Sequence, residues 1–135
     1  EMNLKIGELS QLSGCPVVTI RFYEKEALLL APNRSEANYR LYNKDHLERL
    51  LFILNCRTLN MGLDEIKILL AYKDKPCGNC SSINILVDKH IHQLEQNIQK
   101  QIQLKQQLSD LRSKCSGFLE INSCKVLEGL SVSLK

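Results

Sequence analysis

Apolar residues in the first 30 positions recur at the three- and four-residue spacing of short helices. A first helix is expected to end at Gly14 and a second to begin at Pro16, because glycine favours helix C-termini and proline is tolerated at the first helical position. The apolar residues that define the two helices are Ile6, Leu9 and Leu12, followed by Val17, Ile20 and Leu28. Two short helices joined by a tight turn predict a helix-turn-helix.

The hydrophobic pattern changes between residues 30 and 72. Turn-forming residues and the alternating stretch at 39–42 predict a short β-hairpin. Asn43 is then expected to cap a third helix, and a fourth helix is expected over residues 62–72, where Glu65 takes the third position of a capping pattern. The residues expected on the buried sides of these helices are Leu47, Leu50, Leu51, Leu54 and Cys56, then Leu63, Ile66, Leu69 and Leu70.

Residues 81–115 contain no proline or glycine, and their apolar positions are mostly three or four apart. A straight helix of this length would span about 52 Å, which exceeds the width of a domain of this mass. A long helix with one apolar stripe needs a partner to cover the stripe. We therefore expect a homodimer rather than a helix that folds back on its own N-terminal domain.

The composition is that of an ordinary globular chain, with 44% hydrophobic and 24% charged residues. No apolar run is longer than five residues, the length of the run at 50–54, which is far below the roughly 20 residues of a membrane helix. No basic-then-apolar leader is visible. We therefore expect a cytoplasmic protein with no membrane partner. The net charge is +3 without a polybasic tail, so binding to DNA would depend on where individual residues lie.

The predicted second helix and the hairpin carry hydroxyl and guanidinium groups that suit the phosphates and base edges of double-stranded DNA. A recognition helix enters the major groove, and a wing rests on the neighbouring backbone. The candidate DNA-contacting residues are Thr19, Arg21, Tyr23, Arg34, Tyr39 and Arg40. The alternative is that they are solvated surface residues, with the tyrosines half buried in a small core.

Six cysteines in a chain of this length indicate disulfides, metal ligation or redox sensing, and the last two are favoured where no leader is visible. Cys80 and Cys115 lie at opposite ends of the long helix and cannot share an ion within one chain. If two such helices pair antiparallel, Cys80 approaches Cys115 of the partner subunit, and Cys124 can supply a third sulfur. The spacing predicts a thiolate site between subunits for Cd(II), Pb(II), Hg(II) or Zn(II).

Cys77 and His90 have two interpretations each. Cys77 forms a C-x-x-C pair with Cys80 and is either a fourth ligand, which would favour tetrahedral Zn(II) or Cd(II), or a bystander. His90, close in sequence to Asp88 and His92, belongs either to an accessory metal site or to a solvated helix face. Cys15 and Cys56 are expected to be core residues.

Three motifs closely resemble the MerR family of bacterial winged-helix transcription regulators, namely KIGEL at residues 5–9, VTIRFYE at 18–24 and NYRLY at 38–42. The stretch CRTLNMGLDEI at residues 56–66 looks like the cadmium- and lead-responsive CadR/PbrR branch. The match runs along essentially the whole chain in several ordered motifs.

The resemblance implies roles for particular residues. Arg21, Tyr23, Tyr39 and Arg40 would contact the operator backbone, and Thr19 would face the groove. One cysteine at the start of the helix and two flanking the C-terminal loop would bind the metal. The same cysteine spacing also resembles mercury-responsive members, so Cd(II) or Pb(II) is expected and Hg(II) or Zn(II) remains an alternative.

The implied function is metal-dependent activation of a metal-resistance or efflux promoter. The regulator would distort a promoter with an over-long spacer and work with RNA polymerase there, repressing without metal and activating with it. A rival is a thiol-based redox-sensing regulator, although an iron–sulfur cluster would need four cysteines close together. A thiol oxidoreductase lacks its expected βαβ context, so no enzyme activity is expected.

The expected fold class is therefore mainly α, and four segments are predicted. A winged helix-turn-helix DNA-binding domain occupies residues 2–74, and a linker occupies residues 75–80. An antiparallel coiled-coil dimerisation helix covers residues 81–115. A metal-binding loop and the C-terminal tail cover residues 116–135.

Overall fold

The structure, a computed structural model, describes residues 2–132, and the last three residues of the predicted segment 116–135 lie outside them. The chain divides into two compact units, residues 1–83 and residues 84–135. The elements are α1 (Ile6–Ser13), α2 (Val17–Lys25), β1 (Asn33–Arg34), β2 (Arg40–Leu41), α3 (Lys44–Thr58), α4 (Leu63–Asp74), α5 (Ser81–Ser113), a 3-10 turn (Ile121–Ser123) and α6 (Lys125–Leu130). The predicted mainly helical fold with a small antiparallel wing and a long C-terminal helix is confirmed.

A tight turn joins α1 to α2 and completes the predicted helix-turn-helix. Gly14 has a φ of 76°, and its N–H donates to the carbonyl of Ser10 at 2.8 Å, so α1 ends in a conformation that glycine adopts without strain. Helix α2 ends at Lys25, and Leu28 therefore lies beyond it rather than on its apolar face as predicted. Ala27, with a φ of 60°, turns the chain so that Leu28 is nevertheless fully buried.

The core of the first unit is built from side chains of all four of its helices. Its buried members are Leu9, Cys15, Ile20, Tyr23, Leu28, Leu29, Tyr42, Leu50, Ile53, Cys56, Met61, Ile66 and Leu70. The prediction that Cys15 and Cys56 are core residues is confirmed. Burial raises the pKa of both thiols, which keeps them protonated and makes them poor metal ligands.

Helices α3 and α4 begin with the predicted caps. Oδ1 of Asn43 accepts the N–H of His46 at 3.1 Å. The N–H of Gly62 donates to Oε1 of Glu65, also at 3.1 Å. Each bond satisfies a backbone N–H at a helix start, where no carbonyl of the same helix can reach it.

The buried side of α3 agrees with the predicted one at Leu50 and Cys56, which are buried, and at Leu47 and Leu54, which pack partly against the core, but differs at two positions. Leu51 is 40% exposed, whereas Ile53 is fully buried. His46, Leu50 and Ile53 are buried at successive steps of four and three residues, which is the line that a helix presents to one neighbour. The run of five apolar residues at 50–54 has no period of its own, so the sequence alone did not distinguish these positions.

An ion pair fixes the end of α4 to α3. Nη1 of Arg49 lies 2.7 Å from Oδ1 of Asp74, the last residue of α4, and Nε of Arg49 donates to the carbonyl of Leu28 at 2.6 Å. The hydrogen bond from Arg49 lowers the pKa of Asp74. The point where the chain leaves α4 is therefore held to the turn that follows α2.

Helix α5 has 33 residues, which correspond to a length of about 50 Å. Its apolar side chains are largely exposed in the single chain. Those at least 46% exposed are Ile85, Ile91, Ile98, Ile102, Leu104 and Leu108. Among the described residues, no helix has the length and apolarity needed to cross a membrane.

Candidate functional site

The start of α1, helix α2 and the β1–β2 hairpin line a cleft of about 390 Å³. Its lining residues are Lys5, Ile6, Arg21, Arg34, Asn38, Tyr39 and Arg40. Four of the seven are cationic, and none of these lining residues is acidic. Guanidinium groups donate two parallel hydrogen bonds to one phosphate, so the cleft suits a polyanionic backbone.

Backbone pairing positions the cationic side chains of the hairpin. Arg34 and Arg40 are direct partners in the antiparallel sheet, so both lie at the same level of the wing. Nη1 of Arg34 donates to the carbonyl of Asn38 at 3.1 Å, which holds the guanidinium against the loop. Asn38 has a φ of 65°, a conformation that asparagine tolerates better than most residues.

Two contacts tie the hairpin to the helices beside it. Leu4 and Tyr42 form a β-bridge, which places the following Lys5 beside the wing. The hydroxyl of Tyr42 donates to the carboxylate of Glu24 on α2. Burial and this hydrogen bond raise the pKa of Tyr42, so the hydroxyl remains a donor. The recognition helix and the wing are therefore held as one surface.

The structure brings together four of the six predicted DNA-contacting residues, namely Arg21, Arg34, Tyr39 and Arg40. The other two do not line the cleft. Thr19 is half-buried, and Tyr23 is only 5% exposed, with its ring in the core.

Sequence reasoning did not single out Lys5 and Asn38 as site residues. Both lie within the motifs KIGEL and NYRLY, so the signal was present in the sequence. The sequence does not show that Leu4 pairs with Tyr42, a contact between residues 38 positions apart that brings Lys5 to the wing. Such non-local pairing cannot be derived from periodicity.

Two of the predicted metal ligands lie together in the second unit. The Cys115 side chain lies near enough to Cys124 to lower the pKa of its thiol, and both residues are half-buried. Backbone N–H groups of Leu127 and Val126, together with Cys115, lower the pKa of the Cys124 thiol below its ordinary value. A thiolate rather than a thiol binds metal, so this arrangement favours a ligand over an inert core cysteine.

Helix α6 packs closely on the end of α5 and holds this pair in place. A Cβ on Gly129 would overlap Cδ2 of Leu111, whose side chain is buried. Nη1 of Arg112 donates to the carbonyl of Cys115 at 2.9 Å, which fixes the chain where it leaves α5. The loop between the two cysteines is thus anchored at both ends.

Substitution Gly129→Ala is expected to loosen α6 and to lower the free energy of unfolding by about 1–3 kcal/mol, the usual cost of overpacking. Cys124 should then react faster with iodoacetamide. The matched control is Gly7→Ala in α1, where an added Cβ meets nothing within 4 Å and where we expect a gain of about 0.4–1 kcal/mol. Equal unfolding free energies and equal alkylation rates in the two variants would contradict the close packing.

Cys77 and Cys80 lie in the exposed segment 75–80, between α4 and α5. Gly78 between them has a φ of 71°. The side-chain oxygen of Asn79 accepts the N–H of Ser81 at 3.0 Å, which connects this turn to the first residue of α5. Both thiols are therefore accessible and lie in one short turn.

The histidines of α5 differ in their surroundings. His90 is only 7% exposed, whereas His92 is exposed and lines a shallow groove with Glu95. Within one chain, no group of three or more His, Cys, Asp or Glu residues among those described could hold a metal ion. The accessory site at His90 stays a prediction.

Comparison with known proteins assigns the chain to a family. A family model described as MerR HTH family regulatory protein matches residues 4–73, and a second, described as MerR, DNA binding, matches residues 47–111. The chain belongs to the MerR family. It is a transcription regulator and not an enzyme, and regulators of this family act as dimers on promoter DNA.

Individual relatives match between 82% and 96% of this MerR-family chain. It is 42% identical over 111 residues to the ZntR homolog of Haemophilus influenzae, with 82% of each chain covered. It is 31% identical over 129 residues to the mercuric resistance operon regulatory protein of Bacillus cereus, with 96% of this chain and 98% of that protein covered. The structure of PbrR691 from Ralstonia metallidurans CH34 in complex with lead(II) matches with a TM-score of 0.84 at 45% identity, over 94% of this chain and 98% of that one.

Proposed function

We propose that this MerR-family protein is a cytoplasmic regulator that senses a soft divalent metal ion, Cd(II) or Pb(II). Cys80 of one subunit binds the ion together with Cys115 and Cys124 of the partner subunit. Binding activates a metal-resistance or efflux promoter by distorting its DNA, in concert with RNA polymerase. Three thiolates form a donor set that soft and borderline ions prefer over hard ones.

The observation that carries the proposal is that Cys115 and Cys124 lie near each other in the second unit, where backbone N–H groups of Leu127 and Val126, together with Cys115, lower the pKa of the Cys124 thiol. They lie outside the core of the first unit, which contains Cys15 and Cys56. The chain thus separates two buried core cysteines from a half-buried pair in the second unit, in which the pKa of the Cys124 thiol is lowered. The pair provides two of the three sulfurs that the site requires.

The third sulfur is assigned to the other subunit because of the length of α5. About 50 Å of helix follows Cys80 before the chain reaches Cys115. In an antiparallel dimer the start of one α5 lies beside the end of the other, and two-fold symmetry creates two equivalent sites. The exposed apolar residues of α5 supply the surface for this pairing.

The position of Cys80 links metal binding to DNA binding. Cys80 follows Asp74 by six residues, and Arg49 connects Asp74 to the carbonyl of Leu28 just after the recognition helix α2. A constraint on Cys80 therefore acts on a chain segment that is anchored to the DNA-binding unit. Metal activates to the extent that it binds one dimer geometry more tightly than the other.

Relatives support a metal as the effector. One is named for mercuric resistance, and another was solved with lead(II) bound. Cd(II) and Pb(II) are our choice because the CRTLNMGLDEI stretch resembles the CadR/PbrR branch.

Substitutions Cys80→Ser, Cys115→Ser and Cys124→Ser should each abolish metal-dependent activation and spare dimerisation and operator binding, since each removes one thiolate from the site. The measurement is in-vitro transcription from the native promoter with buffered free Cd(II), Pb(II), Hg(II) and Zn(II). Cys15→Ala serves as the control and should keep the response, because that thiol is buried in the core. A variant that retains the response removes its cysteine from the ligand set.

A further inference from the structure

We propose that Cys77 is a fourth thiolate ligand of this site and that the site therefore prefers Cd(II) to Pb(II). The inference rests on the proposed function, because the other three ligands are those assigned above. It concerns a residue that packing does not explain. Cys77 is exposed, whereas Cys15 and Cys56 are buried in the core, and an exposed free thiol brings a risk of oxidation without a gain in stability.

The turn that carries Cys77 fits a chelating pair. Two cysteines separated by two residues form one half of many four-cysteine metal sites. Gly78 places a left-handed residue at a bend between them, and the space beside it is open, with nothing within 4 Å of an added Cβ. Asn79 fixes the far side of the turn to Ser81 at the start of α5.

The donor count then becomes four. Cys77 and Cys80 come from one subunit, and Cys115 and Cys124 of the partner subunit complete the set. Four thiolates around a divalent ion carry a net charge of −2, and lysines lie beside the cysteines in sequence. Lys114 precedes Cys115, Lys125 follows Cys124, and both lysines line one groove of about 420 Å³. Glu128 lines the same groove, and its carboxylate lies 3.2 Å from Nζ of Lys125, so it offsets part of this positive charge.

The choice of metal follows from coordination preference. A tetrahedral set of four thiolates suits ions with a filled d shell and no directional demand, such as Cd(II) and Zn(II). Pb(II) carries a lone pair that occupies space on one side of the ion, so it is best bound by three sulfurs in a pyramid. A fourth sulfur therefore adds a bond for Cd(II) and crowds Pb(II).

Alkylation with N-ethylmaleimide, with and without excess Cd(II), tests the ligand count directly. Trypsin releases residues 74–89 as one peptide, because the Lys75–Pro76 bond resists cleavage, and this peptide contains Cys77 and Cys80 alone among the cysteines. We expect two adducts without Cd(II) and none with it. One adduct, on Cys77, in the presence of Cd(II) would overturn the fourth ligand and leave the three-cysteine site standing. Two adducts with Cd(II) would contradict the proposed function as well.

A second measurement separates ligation from simple shielding of Cys77. The charge-transfer absorbance of the Cd(II) complex grows with the number of sulfur–metal bonds, so Cys77→Ser should lower it by about a quarter. The affinity for Cd(II) relative to Pb(II) should fall in the same variant. Cys15→Ala, which removes a core thiol, should change neither quantity. Unchanged absorbance and selectivity in Cys77→Ser would overturn the proposal.

Discussion

Heterodimers of Cys80→Ser chains with Cys115→Ser chains are expected to bind one Cd(II) ion at full affinity, although neither homodimer binds any at full affinity. In the mixed dimer, one site has lost both sulfurs that were substituted. The other site combines the intact Cys80 of one chain with Cys115 and Cys124 of the partner subunit, so its ligand set is complete. Two affinity tags isolate the heterodimer, and competition with a coloured chelator counts the bound ions.

A heterodimer that carries both substitutions on the same chain provides a control, because it is expected to bind no ion at full affinity. A chain with both substitutions, Cys80→Ser and Cys115→Ser, is combined with a wild-type chain. If the site is shared between subunits, each of the two sites lacks one sulfur and the heterodimer binds no ion at full affinity. If each chain bound its own ion, the wild-type chain would still bind one. A full site in this second heterodimer would therefore contradict the shared arrangement.

The fold was largely predictable because its elements have local signals. Gly14 ends α1, Asn43 begins α3 and the uninterrupted stretch after Cys80 forms α5, and each of these signals acts within a few residues. The sequence pattern placed Leu28 on α2, but the positive φ of Ala27 ends this helix before Leu28. Alanine rarely adopts a positive φ, so its presence does not predict the end of a helix. Local patterns thus fail where a residue without special chemistry adopts an unusual backbone.

The candidate sites were predictable to different degrees for a similar reason. The guanidinium groups of Arg21 and Arg40 were identified by type and motif, but the contribution of Lys5 depends on a bridge between distant residues. The proximity of Cys115 and Cys124 requires that α6 return to the end of α5, which the close approach of Gly129 and Leu111 permits. Chain reversals of this kind are set by packing rather than by spacing.

Substitution Arg21→Ala is expected to weaken operator binding by about tenfold to a hundredfold, the equivalent of losing one hydrogen bond to a charged group. Arg21 is exposed on α2 and lines the cationic cleft. If it contacts a phosphate, its removal should also reduce the slope of log affinity against log salt by about one, because one fewer counterion is released. Fluorescence anisotropy with operator DNA at several salt concentrations measures both quantities.

Lys100→Ala is the control for charge alone, since Lys100 is an exposed cation on α5, outside the cleft. It should leave the operator affinity and the salt slope close to those of the wild type. Metal affinity should be unchanged in both variants, because Arg21 lies in the first unit and contributes no sulfur. If Arg21→Ala had the same salt slope as Lys100→Ala, the cleft would not follow the DNA backbone, and the placement of α2 as the recognition helix would have to be abandoned.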